Sequence, residues 1–126
     1  MSYQTRILTI DDEPAITRML KLFLERAGFD VREENDPTKA LQAARGFCAD
    51  LILLDYRMPK LDGCELAKFF AADYSLRHVP VLFMSGSPQG EILERTCPRT
   101  YQVFQKPLCI PMIVDCIDEL VDARNK

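Results

Sequence analysis

The sequence has no Cys-x-x-Cys pair and a single histidine, His78. Its five cysteines, Cys48, Cys64, Cys97, Cys109 and Cys116, are separated by 16, 33, 12 and 7 residues. The count is odd and the close pairs from which zinc sites are built are missing. A zinc site and a disulfide framework are both disfavoured, and the thiols are expected to be reduced and mostly buried, acting as small apolar side chains. No apolar run approaches the ~18 residues of a membrane span, and the opening MSYQTRILTIDDEP is broken by charge before a signal-peptide core can form. A soluble, cytoplasmic protein without membrane contact is expected. An excess of one charge is also missing: 16 Lys and Arg against 19 Asp and Glu leave a net charge of -3, spread along the chain. That balance argues against a lone nucleic-acid-binding module and against an acidic disordered tail. Repeats, low-complexity tracts and linkers are absent too, and 126 residues correspond to about one domain. Residues 1–126 are expected to form a single domain.

What the chain does contain is a regular alternation of apolar patterns. Arg6 to Ile10 is short, apolar on both parities and stopped by Asp11-Asp12-Glu13-Pro14, as for a strand covered on both faces. Ile16, Met19, Leu20, Phe23, Leu24 and Ala27 then recur at helical spacing, with Asp12 or Glu13 at the start, Pro14 in the first turn and Gly28 past the end. Phe29 to Glu34 reads as a strand near a sheet edge, where Arg32-Glu33-Glu34 discourages further pairing. Asp36-Pro37 opens a short helix through Ala40, Leu41 and Ala44 that Gly46 is expected to close. Leu51 to Leu54 runs into Asp55 as another apolar strand, and a helix carrying Leu66, Phe69 and Phe70 follows. Val79 to Met84 and Tyr101 to Gln105 are two more strands, separated by a short helix at about Gln89 to Arg95. Ile110, Ile113, Val114, Ile117, Leu120 and Val121 mark a final helix. Five strands alternating with five helices predict an α/β domain: a five-stranded parallel sheet with helices on both faces, doubly wound, in the order 2-1-3-4-5. Ligands bind such sheets outside the carboxyl ends of the strands, at the switch point of the strand order.

The strands end on polar residues: Asp11 and Asp12 after the first, Asp55 after the third, Ser85 after the fourth, Lys106 after the fifth. Singly, each has an ordinary explanation as a cap, a loop opener or a solvated charge. Parallel strands bring these ends to one edge. Three carboxylates crowded there repel one another unless a cation intervenes, and oxygen-only ligation with room for water favours Mg2+ over zinc or a dedicated calcium cage.

Asp11-Asp12, Asp55 within LILLDYRMPKLDG, Ser85-Gly86 and Lys106-Pro107, in this order and spacing, resemble the receiver domain of bacterial response regulators, the chemotaxis-regulator-like module of two-component signalling. The match covers essentially the whole chain. Single elements such as DD or KP are common, whereas all four at the ends of the right strands are specific. The resemblance implies that Asp55 accepts a phosphoryl group from the phosphohistidine of a sensor histidine kinase or a histidine phosphotransfer protein. It further implies that Lys106 contacts that group and Ser85 binds it. Asp11 and Asp12, with Asp55 and the main-chain carbonyl of Arg57, would hold Mg2+. On this view the chain is not an enzyme but an acceptor that assists its own phosphorylation and dephosphorylation. It would switch contacts with a downstream protein target that the sequence does not name, without binding nucleic acid directly. Met58-Pro59 and Asp62-Gly63 would shape the loop behind Asp55, with Gly63 supplying the permissive backbone of a tight turn. Arg57 and Ser87 would border the path of a hydrolytic water, and since Ser87 has no carboxylate or amide to orient it, slow loss of the phosphoryl group is expected.

Other readings fit less well. A haloacid-dehalogenase-type phosphatase needs a second acid two residues after its nucleophile at the end of the first strand together with a cap domain, and a flavodoxin-like carrier needs a glycine- and hydroxyl-rich loop where Asp11-Asp12-Glu13 would repel a phosphate. The serious alternative is a receiver-like docking module that signals without phosphorylation. No output domain follows the last helix, so a stand-alone regulator and a receiver excised from a longer protein are both open. One position departs from the family: the aromatic residue usual three before the lysine is Val103, and Phe104 should point to the opposite face unless a bulge shifts the register. Tyr101, of the same parity as Val103, is too far from the strand end to follow Ser85. A shift of Ser85 is therefore expected to travel through the backbone of residues 85–96.

Overall fold

The computed structural model describes residues 3–86 and 100–124. The described elements are β1 (Arg6–Ile10), α1 (Pro14–Arg26), β2 (Asp30–Glu34), a 3-10 turn (Pro37–Lys39), α2 (Ala40–Phe47), β3 (Leu51–Asp55), α3 (Gly63–Ala72), β4 (Val81–Ser85), β5 (Thr100–Gln105) and α4 (Ile110–Arg124). All strand pairs are parallel, in the order β2-β1-β3-β4-β5, so the expected sheet forms. The helix expected at about Gln89 to Arg95 lies outside the described residues, as do Cys97 and Ser87.

Two apolar layers sandwich the sheet. On one face Leu8, Ile10, Ile52, Leu54, Val81 and Phe83 meet Ala40, Ala44 and Phe47 of α2 and Leu66, Ala67 and Phe70 of α3. On the other, Ile7, Leu51, Leu53, Leu82, Met84 and Phe104 meet Leu20 and Leu24 of α1 and Ile113 and Ile117 of α4. Every residue of β3 and of β4 is buried, which is why these strands read as unbroken apolar runs rather than alternating ones. Phe69 of α3 faces outward and is 54% exposed. Thr9, mid-strand in β1, buries a hydroxyl that has no hydrogen-bond partner.

The element boundaries follow their local chemistry with two departures from the sequence expectation. Pro14 takes the first position of α1, and Gly28 closes the helix at φ 101, with its N–H on the Glu25 carbonyl and that of Phe29 on Leu24. Gly46, however, does not close α2. The helix runs on to Phe47, whose side chain is buried, and Cys48 adopts the left-handed conformation at φ 55, because burying the phenyl ring requires one more helical residue than the glycine signal suggests. β4 starts at Val81 instead of Val79, since Pro80 has no N–H to give to a ladder.

The cysteines also depart from expectation. Cys48 and Cys109 are exposed and Cys116 half-buried, all three free; Cys64 is half-buried and disulfide-bonded. Sequence spacing carries no information about which thiols the fold brings within the ~5–6 Å Cα separation of a disulfide. Cys48 is exposed because it terminates a helix at the surface.

Candidate functional site

The carboxyl ends of β1, β3, β4 and β5 do converge. Asp11, directly after β1, is fully buried, and its loop is held from several sides. Its N–H donates to the Glu34 carbonyl (3.2 Å), its Oδ1 accepts the N–H of Glu13 (3.0 Å), and its own carbonyl accepts the Asn35 amide (2.8 Å), which also donates to Thr17 Oγ1 (2.9 Å). Asp55 is the last residue of β3 and only 5% exposed. Asp11, Asp12 and Asp55 each offer a carboxylate oxygen within 4.8 Å of the others.

Lys106 leaves β5 with its N–H on the Ser85 carbonyl (2.7 Å) and its peptide to Pro107 cis. Its Nζ lies 3.0 Å from Asp11 Oδ2 and 3.3 Å from Asp55 Oδ1. Ser85 ends β4 and is buried. Asp55, Ser85 and Lys106 line an open cleft of about 400 Å³ together with Glu13, Arg57 and Gly86. Thus Asp11, Asp12, Asp55 and Lys106 are in one cluster, and Ser85 and Arg57 border the same space.

Burial, reinforced by the charge of Asp11, pushes the Asp55 carboxyl up to about 6 against the pull of Lys106. Burial also works against the charge of Lys106, but its hydrogen bond to Asp11 and the charges of Asp11 and Asp55 outweigh this and raise its pKa. One ammonium does not balance three carboxylates. The all-oxygen donor set, without thiolate or imidazole, fits a hard divalent cation, which would relieve the repulsion that adds to burial in keeping Asp55 weakly acidic.

Gly63 supports the acceptor differently from the turn role expected of it. Its backbone has no positive φ; instead an added Cβ would meet the Asp55 carbonyl oxygen at 2.5 Å and Tyr56 Cα at 2.9 Å. The first turn of α3 presses on the chain just after Asp55, with the Gly63 N–H on the Tyr56 carbonyl (2.7 Å) and the helix capped by Asp62 Oδ1 on the Glu65 N–H (2.8 Å). Sequence reasoning missed Asn35 and the cleft position of Glu13. Asn35 carried the same signal as the residues found, a polar side chain just past a strand; Glu13 was hidden in its role at the start of α1.

The comparisons with known proteins agree with this geometry. The model of the response regulator receiver domain matches residues 7–117. The DNA-binding dual master transcriptional regulator RpaA of Synechocystis is 38% identical over 84 residues, 67% of this chain and 35% of that protein. The polar-differentiation response regulator DivK of Brucella ovis is 25% identical over 112 residues, 88% of this chain and 91% of DivK. The chain therefore spans about a third of RpaA but nearly all of DivK. Among solved structures, chemotaxis protein CheY4 of Vibrio cholerae superposes with a TM-score of 0.83 at 24% identity, covering 93% of this chain and 98% of that one, which supports the fold. A match over nearly the whole sheet and its helices, with the acids, hydroxyl and lysine at the matched strand ends, means that the chain belongs to the response regulator receiver domain family.

Proposed function

We propose that this chain is the phospho-acceptor of a two-component or phosphorelay system, with Asp55 as the acceptor. The observation that carries the reading is the position of the Asp55 carboxylate, at the end of a buried strand between an acidic pair and a lysine, and opening onto a cleft. An Asp55 oxygen attacks the phosphorus of a phosphohistidine on a sensor kinase or phosphotransfer protein. The P–N bond breaks with its electron pair leaving on the imidazole, and an acyl phosphate remains. Lys106, already within 3.3 Å of Asp55, offsets charge on the transferred oxygens, and the Ser85 hydroxyl offers a donor from the same cleft wall. Asp11, Asp12, Asp55 and the Arg57 carbonyl would hold Mg2+, which supplies charge neutralisation at the phosphoryl oxygens when bound. The pair of acids carries that load, leaving Asp55 to be the nucleophile. The chain is then an acceptor that assists its own phosphorylation and dephosphorylation rather than an enzyme acting on other substrates. It works in the cytoplasm and switches contacts with a downstream protein.

The test is incubation with acetyl phosphate and Mg2+ followed by intact-mass measurement and mapping of the adduct. A single phosphoryl group on Asp55, lost in Asp55→Asn and in EDTA, is expected. Labelling that persists in either case would sink the assignment, and a wild-type protein that never labels would leave the chain a docking module.

A further inference from the structure

Five charged groups accompany the acceptor Asp55 at the site, and one of the acids has no task in the chemistry above. Asp11, Asp12 and Asp55 form the cluster able to hold a cation; Glu13 lies outside that cluster yet lines the cleft together with the positive residues Arg57 and Lys106. Its main chain is fixed by the 3.0 Å bond from its N–H to Asp11 Oδ1. Its side chain makes no capping hydrogen bond to α1, and among the described residues no ion pair joins it to Arg57 or Lys106. Four carboxylates against two cations leave the site two charges negative, which one divalent cation brings to neutrality. Without Glu13 the loaded cleft would be positive and would draw in any small anion carrying a phosphoryl group.

We propose that Glu13 is a specificity determinant of the acceptor site, an electrostatic filter against small free phosphoryl donors; the inference rests on the acceptor reading. Glu13 and Asp55 line the same open cleft, and at low ionic strength, where the Debye length reaches about 30 Å, the charge of Glu13 is little screened from the acceptor. Repulsion of a phosphoryl anion by Glu13 acts on the bound donor and on the transition state alike. Such uniform destabilisation lowers kcat/KM but leaves kcat unchanged. A dilute metabolite reacts in proportion to kcat/KM and is slowed. A phosphohistidine on a protein donor, held by a separate docking surface, works near saturation and is not.

The experiment measures second-order labelling of Asp55 by acetyl phosphate, a dianion at neutral pH, and by phosphoramidate, which carries less charge. Glu13→Gln should accelerate acetyl phosphate about three- to ten-fold at low salt, as expected for one charge acting on two over roughly 5–10 Å in a high-dielectric cleft, and phosphoramidate by about the square root of that factor. Both gains should shrink as salt is added, Glu13→Lys should exceed them, and Arg57→Gln should move the rate the other way. Unchanged rates in Glu13→Gln would overturn the proposal, as would equal or salt-independent acceleration of the two donors, the mark of a local rearrangement. Failure of the wild type to label at Asp55 would instead bring down the acceptor reading, and this inference with it.

Discussion

Replacing Gly63 with alanine tests how tightly the acceptor is held from behind. The added methyl would sit 2.5 Å from the Asp55 carbonyl oxygen, 2.9 Å from Tyr56 Cα and 3.0 Å from Phe83 Cε1. Two of these three atoms are backbone and cannot rotate aside, and Phe83 is fully buried in the sheet core. Either α3 retreats from the sheet or the chain at Asp55 and Tyr56 shifts. Overpacking a core costs about 1–3 kcal/mol, and with main chain on both sides the upper half, about 2–3 kcal/mol, applies. With a urea m value of about 2 kcal/mol/M, the midpoint should fall by about 1–1.5 M. Displacement of a reacting atom by about 1 Å costs up to about 100-fold in rate, so the smaller shift required here should slow Asp55 labelling roughly ten-fold. The internal control is Gly46→Ala, inside α2, where a Cβ meets nothing within 4 Å. That substitution should stabilise by about 0.5–1 kcal/mol through helix propensity alone. A Gly63→Ala protein within about 0.5 kcal/mol of wild type, labelling normally, would refute the close-approach argument; so would equal behaviour of the two glycines.

Two further outcomes follow from buried polar groups. Thr9→Val keeps the β-branched shape and removes a buried hydroxyl without a partner, so the denaturation midpoint should rise, corresponding to about 1 kcal/mol; a fall would mean that the hydroxyl is satisfied in solution. Asp55→Asn should stabilise the metal-free protein at pH 7. Burial and Asp11 hold the Asp55 carboxyl at about 6 in the folded state against an unfolded value near 4, so ionisation penalises only the folded form. The penalty is absent below about pH 4, grows between pH 4 and 6 and is complete above, on the order of 2 kcal/mol. Urea titrations in EDTA should show the gap between variant and wild type closing on acidification, and a gap that widens instead would reverse the sign of the argument.

Much of this site was legible because its residues announce themselves where strands stop. Asp11, Asp55, Ser85 and Lys106 each end an apolar run, and parallel topology turns four separate endings into one edge. What stayed hidden depends on distances between segments. The need for glycine at 63 arises from the approach of α3 to β3, which no local pattern encodes, and the sequence reading supplied a turn where the structure shows a contact. The disulfide at Cys64 depends on a spatial neighbour, the end of α2 on the burial of Phe47, and the cleft position of Glu13 on how α1 leaves the sheet.

The β5 register shows how far alternation alone can be carried. Val81 pairs with Thr100 and Leu82 with Gln102, so Tyr101 is the extra residue of a bulge, and regular pairing resumes as Phe83 with Val103, Met84 with Phe104 and Ser85 with Gln105. The bulge therefore precedes Val103 and leaves both Val103 and Phe104 on their expected faces. Val103 packs against the layer that contains Phe83, on the side of α2 and α3, whereas Phe104 is buried in the layer of Ile113 and Ile117, on the side of α1 and α4. For Phe104 to take over the position of the family's aromatic residue, its ring would have to pass through the sheet. Val103 has no ring to turn. Main chain ties Ser85 to β5 through its pairing with Gln105 and the 2.7 Å bond from the Lys106 N–H to its carbonyl. Of residues 85–96, through which the sequence reading routes a shift of Ser85, all after Gly86 lie outside the described residues. Within those described, a displacement of Ser85 reaches the end of β5 directly, and it arrives at the same lysine that spans Asp11 and Asp55.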